Sequence, residues 1–245
     1  MISEHLQGLL LMDKPSGWTS FDVVNYVRRI VASVEGKKPK NCKVGHTGTL
    51  DPLATGLLVL LVGKEYTRRV PGLSKLDKTY EVTMKLGETS TTGDGEGVKT
   101  NVSRSQPTEV EIREILAKYT GEIMQVPPAY SAMKIDGVRA YKLAREGREV
   151  KMEARPATIH SNDFVSYEYP FVRFVSHVSS GTYIRSLVED MGRDLQTGAY
   201  MSDLRRTTVG TFKLADAITV DSDLTAEKLA ASLQNLPTAT QTVQD

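Results

Sequence analysis

The sequence of 245 residues predicts an α+β protein whose sheet is mixed or mostly antiparallel. Helix and strand patterns alternate along the chain, but without the regular spacing of strand–helix–strand units. Hairpin signals occur in the middle of the chain, for example Asp136-Gly137, a pair that suits a two-residue turn. The apolar run Leu57–Val62 lies between two glycines and is typical of a buried strand.

The first half of the chain contains further elements with clear patterns. Residues 8–12 are apolar and predict a first buried strand, and Ser20 is a suitable N-cap for a helix from Phe21 to about Val34. Residues 65–70 predict one or two helical turns. Lys78–Leu86 alternates between apolar and polar residues, with Tyr80, Val82, Met84 and Leu86 on one face, so we expect a strand with one covered side.

The second half predicts shorter elements joined by turns. The sequence Thr108-x-x-Glu111 is a capping box for a helix to about Tyr119. The remaining predictions are a polar loop at 89–97, a helix at 140–146 ended by Gly147, strands at 157–165 and 171–178, a helix opened by Gly181–Leu187 that runs to about 195, and a helix at 225–235 in an acidic C-terminal part.

Charge is distributed unevenly although the formal net charge is only +1. Residues 1–75 carry 11 Lys and Arg against 6 Asp and Glu, whereas residues 213–245 carry 2 against 5. A basic excess can hold a polyanion through phosphate contacts. A solvated lysine-rich surface would have the same composition, so this observation alone does not separate the two interpretations.

The sequence also indicates the cellular compartment in which the protein is expected. No apolar stretch is long enough to span a bilayer, and the first residues do not have the pattern of a signal peptide. The single Cys42 excludes an internal disulfide and fits a reducing cytosol. We therefore expect a cytoplasmic protein that does not contact membranes.

Gly45–Gly56 is the stretch whose side chains are best suited to catalysis. It combines glycines, hydroxyl side chains, His46 and the carboxylate of Asp51, and it directly precedes the buried run. Pro52 restricts the backbone next to the acid. One interpretation is a polar connection in which Asp51 caps a short helix. The other is a loop that holds a catalytic carboxylate in a fixed position.

The sequence GHTGTLDPLATGLL resembles the signature of the TruB family of pseudouridine synthases, which make pseudouridine 55 in the T-loop of tRNA. The resemblance extends from about Gly8 to Thr211 and includes Lys14-Pro15 with Gly17, and Val126–Ala132. It implies the pseudouridine synthase fold, a long mixed sheet flanked by helices with a central RNA-binding cleft. It further implies a catalytic domain at 1–213 and a short acidic segment at 214–245, which does not resemble the PUA domain of some relatives.

The resemblance assigns three catalytic residues. Asp51 matches the catalytic carboxylate, Arg185 matches the arginine that pairs with it, and Tyr80 matches the tyrosine that lies against the uracil and is a candidate base for the C5 proton. Without the family match, Tyr80 would be interpreted as a core aromatic on a strand face, and Arg185 as an ordinary residue on a helix surface.

Five further residues match substrate-binding positions of the family. His46 matches the histidine that contacts the RNA, and Tyr183 and Leu204 match positions of the uracil pocket. Lys14 lies in a motif beside the active site, and Asp94 resembles an acidic residue near it. The alternatives are a structural loop histidine for His46 and an exposed turn lysine for Lys14.

Pseudouridine formation requires no redox step, phosphate transfer or external energy source, so the resemblance predicts an enzyme without a cofactor. The four histidines and Cys42 lack metal-ligand spacing, and Gly63-Lys64 lacks the preceding glycines of a phosphate-binding loop. No nucleophile-elbow sequence indicates a serine hydrolase. We therefore expect neither a metal nor a nucleotide.

The predicted partner is the T-arm stem-loop of tRNA, with no obligate protein partner. Two other functions remain open from the sequence. One is a non-catalytic module that binds or folds RNA on the same scaffold, and the other is a guide-RNA-dependent pseudouridine synthase that works with protein partners.

Overall fold

The computed structural model of the chain describes residues 5–128, 130–131, 133–135, 137–146, 152–220 and 224–236. In the described residues, helices and strands occur in both halves of the chain; most of the strand pairs are antiparallel, and the strands at Gly8–Lys14 and Ile218–Thr219 pair in parallel. The predicted α+β class with a mixed, mostly antiparallel sheet is therefore confirmed. Within the part of the chain that is described, no helix has the length and hydropathy needed to cross a membrane.

The elements are numbered in chain order. The α-helices are α1 Ser20–Val34, α2 Lys64–Thr67, α3 Val70–Leu73, α4 Glu109–Lys118, α5 Ala140–Arg145, α6 Ile184–Asp194 and α7 Ala226–Ser232. The strands are β1 Gly8–Lys14, β2 Val44–His46, β3 Thr55–Val62, β4 Lys78–Leu86, β5 Glu88–Ser90, β6 Lys99–Asn101, β7 Gly121–Gln125, β8 Lys134–Ile135, β9 Val138–Arg139, β10 Arg155–Glu168, β11 Phe171–Val178, β12 Ala199–Val209, β13 Phe212–Lys213 and β14 Ile218–Thr219.

The chain forms two compact units. The first unit consists of Met1–Leu76 and Arg206–Asp245, and the second unit is the continuous stretch Asp77–Arg205. The predicted boundary between a catalytic domain at 1–213 and a segment at 214–245 remains a prediction.

The first unit is built on the strands β14, β1 and β3, in that order, with β2 also paired to β3. Every residue of Leu57–Val62 is completely buried. Leu58, Leu60 and Val62 pack in one cluster with α1 and α7, whereas Leu57, Val59 and Leu61 pack in a second cluster with Val209 and Phe212. At about 1.5–3 kcal/mol for each fully buried aliphatic side chain, β3 is a main contributor to the stability of this unit.

The C-terminal residues belong to this same core. Leu229 of α7 is completely buried, and Gln234 exchanges two backbone hydrogen bonds of 2.8 Å with Leu9 of β1. The strand β14 also pairs with β1. The described part of the acidic C-terminal segment therefore stabilises β1, which pairs with β3, the strand that follows the Asp51 loop.

The second unit contains a sheet in the order β12, β4, β11, β10, β7. The predicted alternation of β4 is confirmed, because Lys78, Tyr80, Val82, Met84 and Leu86 are buried and the residues between them are not. The capping box of α4 is also confirmed: the Thr108 hydroxyl accepts from the Glu111 backbone N–H, and the Glu111 carboxylate accepts from the Thr108 backbone N–H.

Several boundaries differ from the sequence predictions. Thr19, not Ser20, caps α1, because Asp22 lies three residues after Thr19 and completes a capping box with it. The strand predicted at 157–165 is longer, because β-bulges between Ile159 and Ser161 and between Phe164 and Ser166 interrupt its alternation. The predicted polar loop at 89–97 includes Thr89 and Ser90, which are the last two residues of β5 and pair with β6. Asp136 and Gly147 lie outside the described residues.

Candidate active site

The loop that carries Asp51 connects β2 to β3 in the first unit. The Asp51 side chain is half-buried, and its backbone carbonyl accepts a hydrogen bond of 3.1 Å from the Ala54 N–H. Gly56, the second residue of β3, has φ = +96°, and a Cβ there would lie 2.3 Å from the backbone oxygen of Arg206. Only glycine fits this position without strain.

Lys14 fixes the loop from the end of β1. Its side chain is completely buried, and Nζ donates to the carbonyls of Pro15 at 2.9 Å, Trp18 at 2.6 Å and Pro52 at 3.2 Å. The alternative interpretation of Lys14 as an exposed turn lysine is therefore wrong. Because Pro52 follows Asp51 directly, Lys14 holds the backbone beside the acid.

Two more buried polar side chains hold the same loop. The Ser20 hydroxyl donates to the Leu50 carbonyl at 3.0 Å and accepts from the Leu50 N–H at 2.8 Å. Arg206 is almost fully buried and donates to the carbonyls of Leu57 at 2.7 Å and Gly48 at 3.0 Å. The backbone on both sides of Asp51 is thus fixed before any substrate binds, which is what preorganised catalysis requires.

We expect Lys14→Met to lower both stability and activity. The change leaves the carbonyls of three half-buried residues without this donor. A buried group that stays unsatisfied costs about 1–3 kcal/mol, and exposure to water will reduce this cost. Urea denaturation and turnover measurements check the prediction, with Lys40→Met at an exposed lysine as the matched control. Unchanged stability and turnover in Lys14→Met would show that Lys14 does not hold the loop.

His46 ends β2 at the start of this loop. Burial lowers its pKa below the ordinary value, the positive charge of Arg206 lowers it further, and a hydrogen bond with the Gly48 backbone acts in the opposite direction. His46 is therefore a neutral imidazole at pH 7, able to donate one hydrogen bond and accept another.

Stability should depend on the titration of His46. Since its folded pKa is depressed, the unfolded chain binds more protons below about pH 6.5, so the free energy of unfolding should fall as pH drops from 7.5 through this window. We expect a smaller decrease in His46→Gln. Urea titrations of both proteins at pH 7.5 and pH 5.5 check this, and an identical decrease in the two proteins contradicts it.

In the second unit, Arg185 and Asp94 form a buried charged pair. Arg185 is only 6% exposed, and its Nη1 lies 3.7 Å from Oδ2 of Asp94. The guanidinium also donates to the carbonyls of Thr92 at 3.0 Å and Tyr130 at 2.8 Å. Arg185 is therefore not a helix-surface residue, and its guanidinium is held in a fixed orientation.

Asp94 is itself fixed by the turn around it. Its Oδ1 accepts from the Thr92 hydroxyl and, at 3.0 Å, from the Glu96 N–H. Glu189 of α6 lies close by, within 3.0 Å of where a Cβ on Gly93 would be. Burial raises the Glu189 pKa, Arg185 lowers it, and the carboxylates of Asp190 and Asp94 raise it again. The structure thus places two carboxylates, Asp94 and Glu189, and the buried Arg185 around one turn.

Tyr183 is the N-cap of α6, and its backbone is clamped by Gln125 at the end of β7. The Gln125 side chain accepts from the Tyr183 N–H at 2.8 Å and donates to the Tyr183 carbonyl at 3.0 Å. Ser186 also donates to the Val126 carbonyl at 2.8 Å. These bonds set where α6 begins and thereby where Arg185 lies.

Tyr80 and Leu204 lie on the strands β4 and β12, and each is only 7% exposed. Tyr80 is opposite Ser176 of β11 in the sheet register. A small exposed fraction fits either of the two interpretations from the sequence, a core aromatic or the wall of a pocket for a flipped base.

The predicted site residues therefore fall into two groups. The first unit holds Asp51, His46 and Lys14, and the second unit holds Tyr80, Asp94, Tyr183, Arg185 and Leu204. Lys14, Asp94, Arg185 and the Tyr183 backbone each have partners within their own unit that fix them. The roles of Arg206 and Gln125 were not predicted. The sequence analysis predicted no strand at Ala199–Val209, which carries Arg206, and nothing in the sequence marks Gln125 as a partner of Tyr183.

Comparison with known proteins decides the family. Residues 36–184 match the TruB family pseudouridylate synthase N-terminal domain, and residues 185–236 match the tRNA pseudouridylate synthase B C-terminal domain. The chain belongs to the TruB family of pseudouridylate synthases. It is an enzyme of the isomerase class.

Relatives in two bacteria support the assignment. A tRNA pseudouridine synthase B of Burkholderia mallei is 45% identical over 222 residues, which are 91% of this chain and 70% of the relative. A tRNA pseudouridine synthase B of Arthrobacter is 44% identical over 238 residues, 94% of this chain and 73% of the relative.

Solved structures confirm the fold. A chain in a crystal structure of a Cbf5-Nop10-Gar1 complex superposes with a TM-score of 0.69 and 28% identity over 93% of this TruB-family chain. A chain of an H/ACA RNP bound to a substrate RNA containing 2'-deoxyuridine gives a TM-score of 0.62 and 29% identity over 86%. This chain spans 60% and 50% of the lengths of those two chains, respectively.

Proposed function

We propose that this chain converts uridine 55 in the T-loop of tRNA to pseudouridine, with Asp51 as the catalytic carboxylate. One observation carries the proposal: Lys14, Ser20 and Arg206 are buried polar side chains that all bond the backbone of the Asp51 loop, while Asp51 itself stays half-buried. A structural connection does not require such support around one acid.

The reaction is an isomerisation whose atoms balance without another reactant. The bond from N1 of uracil to C1′ of ribose breaks, the base turns, and C5 bonds to C1′. C5 loses its proton, and N1 gains one. Water is not consumed, so a second carboxylate of the kind that glycosidases use to activate water is not needed.

Asp51 can serve this reaction in three ways. As a carboxylate it can attack C1′ of the ribose, attack the uracil ring, or remove a proton from the sugar. Each route requires the ionised acid at a fixed position, and the fixed loop provides that position. The proposal does not depend on which route operates.

Arg185 is proposed as the family's arginine partner of the catalytic acid. A carboxylate in a water-poor site stays ionised only if a positive charge offsets its desolvation. The two carbonyls and Asp94 that hold Arg185 support this role, because they keep its guanidinium in a fixed orientation.

Tyr80 is proposed to stack on the uracil and to take the C5 proton. A uridine in a folded loop must leave its stack, at a cost of about a few kcal/mol. Stacking on an aromatic returns about 1–3 kcal/mol per base. We propose that Tyr183 and Leu204 complete the uracil pocket and that neutral His46 contacts the RNA, whereas Lys14 acts on the loop backbone.

A tritium-release assay tests the activity. Incubation of the protein alone with tRNA labelled at C5 of uridine should release tritium, because C5 loses its hydrogen. Binding without release would favour the non-catalytic RNA-binding module. Release only after a guide RNA and partner proteins are added would favour the guide-RNA-dependent function. The likeness to a chain of an RNP bound to a substrate RNA keeps this function as the second candidate.

Recognition should depend mainly on the T-arm. The basic excess lies in residues 1–75, whereas residues 213–245 carry 5 acidic against 2 basic residues and should repel phosphate. We expect an isolated T-arm stem-loop to be modified with a kcat/KM within about tenfold of that for full-length tRNA, a difference of about 1.4 kcal/mol. Parallel assays at one salt concentration check this; a loss beyond about a thousandfold would mean that distant contacts matter.

We further propose that the chain acts in the cytoplasm, where tRNA is modified, and that it acts without an obligate protein partner. The tritium-release assay tests the second statement, since it uses the purified chain alone.

A further inference from the structure

Among the described residues, three side chains that can bind a transition metal converge in the second unit. They are Asp77, His160 and His177, whose ligand atoms all lie within 4.8 Å of one another. Nε2 of His160 is 3.1 Å from Oδ2 of Asp77, and the centroids of the two imidazole rings are 4.6 Å apart. The reaction proposed above uses none of these three residues.

The sheet brings them together from three neighbouring strands. His177 lies on β11 opposite Thr79 of β4, and Asp77 directly precedes β4. On the other side of β11, the register of β10 shifts between Ile159 and Ser161, so His160 is the extra residue of a β-bulge. A bulge re-aims a side chain and is common at functional positions.

We propose that Asp77, His160 and His177 form a binding site for Zn²⁺. Zinc binds imidazole nitrogen at about 2.0–2.1 Å and carboxylate oxygen at about 2.0–2.2 Å, so the ligands of a tetrahedral site lie about 3.3 Å apart. The distance of 3.1 Å between Nε2 of His160 and Oδ2 of Asp77 is already close to this ligand separation. The remaining distances shorten by small rotations, for which there is room because the side chains of His160 and Asp77 are 37% and 45% exposed.

The ligand set decides the class of ion. Two imidazoles and one carboxylate suit Zn²⁺ and similar divalent transition metals, whereas Mg²⁺ and Ca²⁺ prefer six or more oxygens. Three protein ligands leave a fourth position for water or an external ligand. The bound ion joins β4, β11 and β10, and β4 carries Tyr80 three residues after Asp77.

Isothermal titration of the full chain, without an affinity tag, with Zn²⁺ at pH 7.5 tests the site. We expect one ion per chain, unaffected by millimolar Mg²⁺. His160→Gln, His177→Gln and Asp77→Asn should each weaken binding by about tenfold or more, the size of effect seen when even outer-shell partners of metal sites are removed. His5→Gln, at a histidine of the first unit whose side chain is 73% exposed, is the matched control and should bind Zn²⁺ as the wild type does.

Two results would overturn the site: unchanged affinity in both His160→Gln and His177→Gln, or an equal loss in His5→Gln. Thermal unfolding without metal shows whether each variant folds, and the folded variants decide the outcome. Co²⁺ provides a second measurement on the unmodified chain. Intense visible absorption expected of a four-coordinate ion supports the site, and the weak absorption of an octahedral ion contradicts it.

Discussion

Asp51→Asn should abolish pseudouridine formation while leaving tRNA affinity within about tenfold of the wild type. The amide keeps the size of the side chain but cannot act as a nucleophile or base, so each of the three routes open to Asp51 is lost. Binding should survive because phosphate contacts elsewhere in the protein supply most of the affinity. Tritium release measures the first quantity, and a gel-shift titration measures the second.

Asp216→Asn is the matched control, because Asp216 is an exposed acid of the same unit and lies outside the Asp51 loop. It loses the same charge and should retain full turnover and affinity. Retained turnover in Asp51→Asn would contradict the proposed mechanism. A large loss of affinity in that variant would mean instead that the carboxylate supports the RNA-bound structure.

Tyr80→Phe should bind tRNA normally but lose most of its product formation. The ring that stacks on the base remains, and only the phenolic oxygen that takes the C5 proton is removed; general-base catalysis typically contributes about a hundredfold to ten-thousandfold. Single-turnover tritium release separates this step from product release.

Tyr167→Phe is the corresponding control in the second unit, since its hydroxyl donates to the Pro107 carbonyl at 2.7 Å and has no proposed part in the reaction. It should cost about 1 kcal/mol of stability and leave turnover unchanged. A Tyr80→Phe enzyme that works at nearly the wild-type rate would show that Tyr80 only packs in the core.

Patterns local to a few residues were enough to predict much of the fold. The continuous apolar run of β3, the alternation of β4 and the capping box of α4 each reflect one element and its immediate environment. Boundaries failed where two residues compete: Thr19 and Ser20 can both cap a helix, and the position of Asp22 selects Thr19. Ser20 is then available to bond Leu50.

The site was less predictable because its supporting contacts join distant parts of the chain. The sequence indicated Asp51 as the candidate acid, but it did not predict that Arg206 would bond the Gly48 carbonyl. The residues that follow Lys14 are typical of a turn, and only the fold shows that three carbonyls surround its ammonium group. The bulge that turns His160 towards Asp77 likewise breaks the alternation on which a strand prediction depends.

The most direct test of the central claim is to incubate the purified chain, without guide RNA or other proteins, with unmodified tRNA and to map pseudouridine along the product. We expect modification at uridine 55, none in a matched tRNA that carries cytidine at that position, and none with Asp51→Asn. Pseudouridine at other positions only, or no pseudouridine with a wild-type chain that binds the tRNA, would contradict the account.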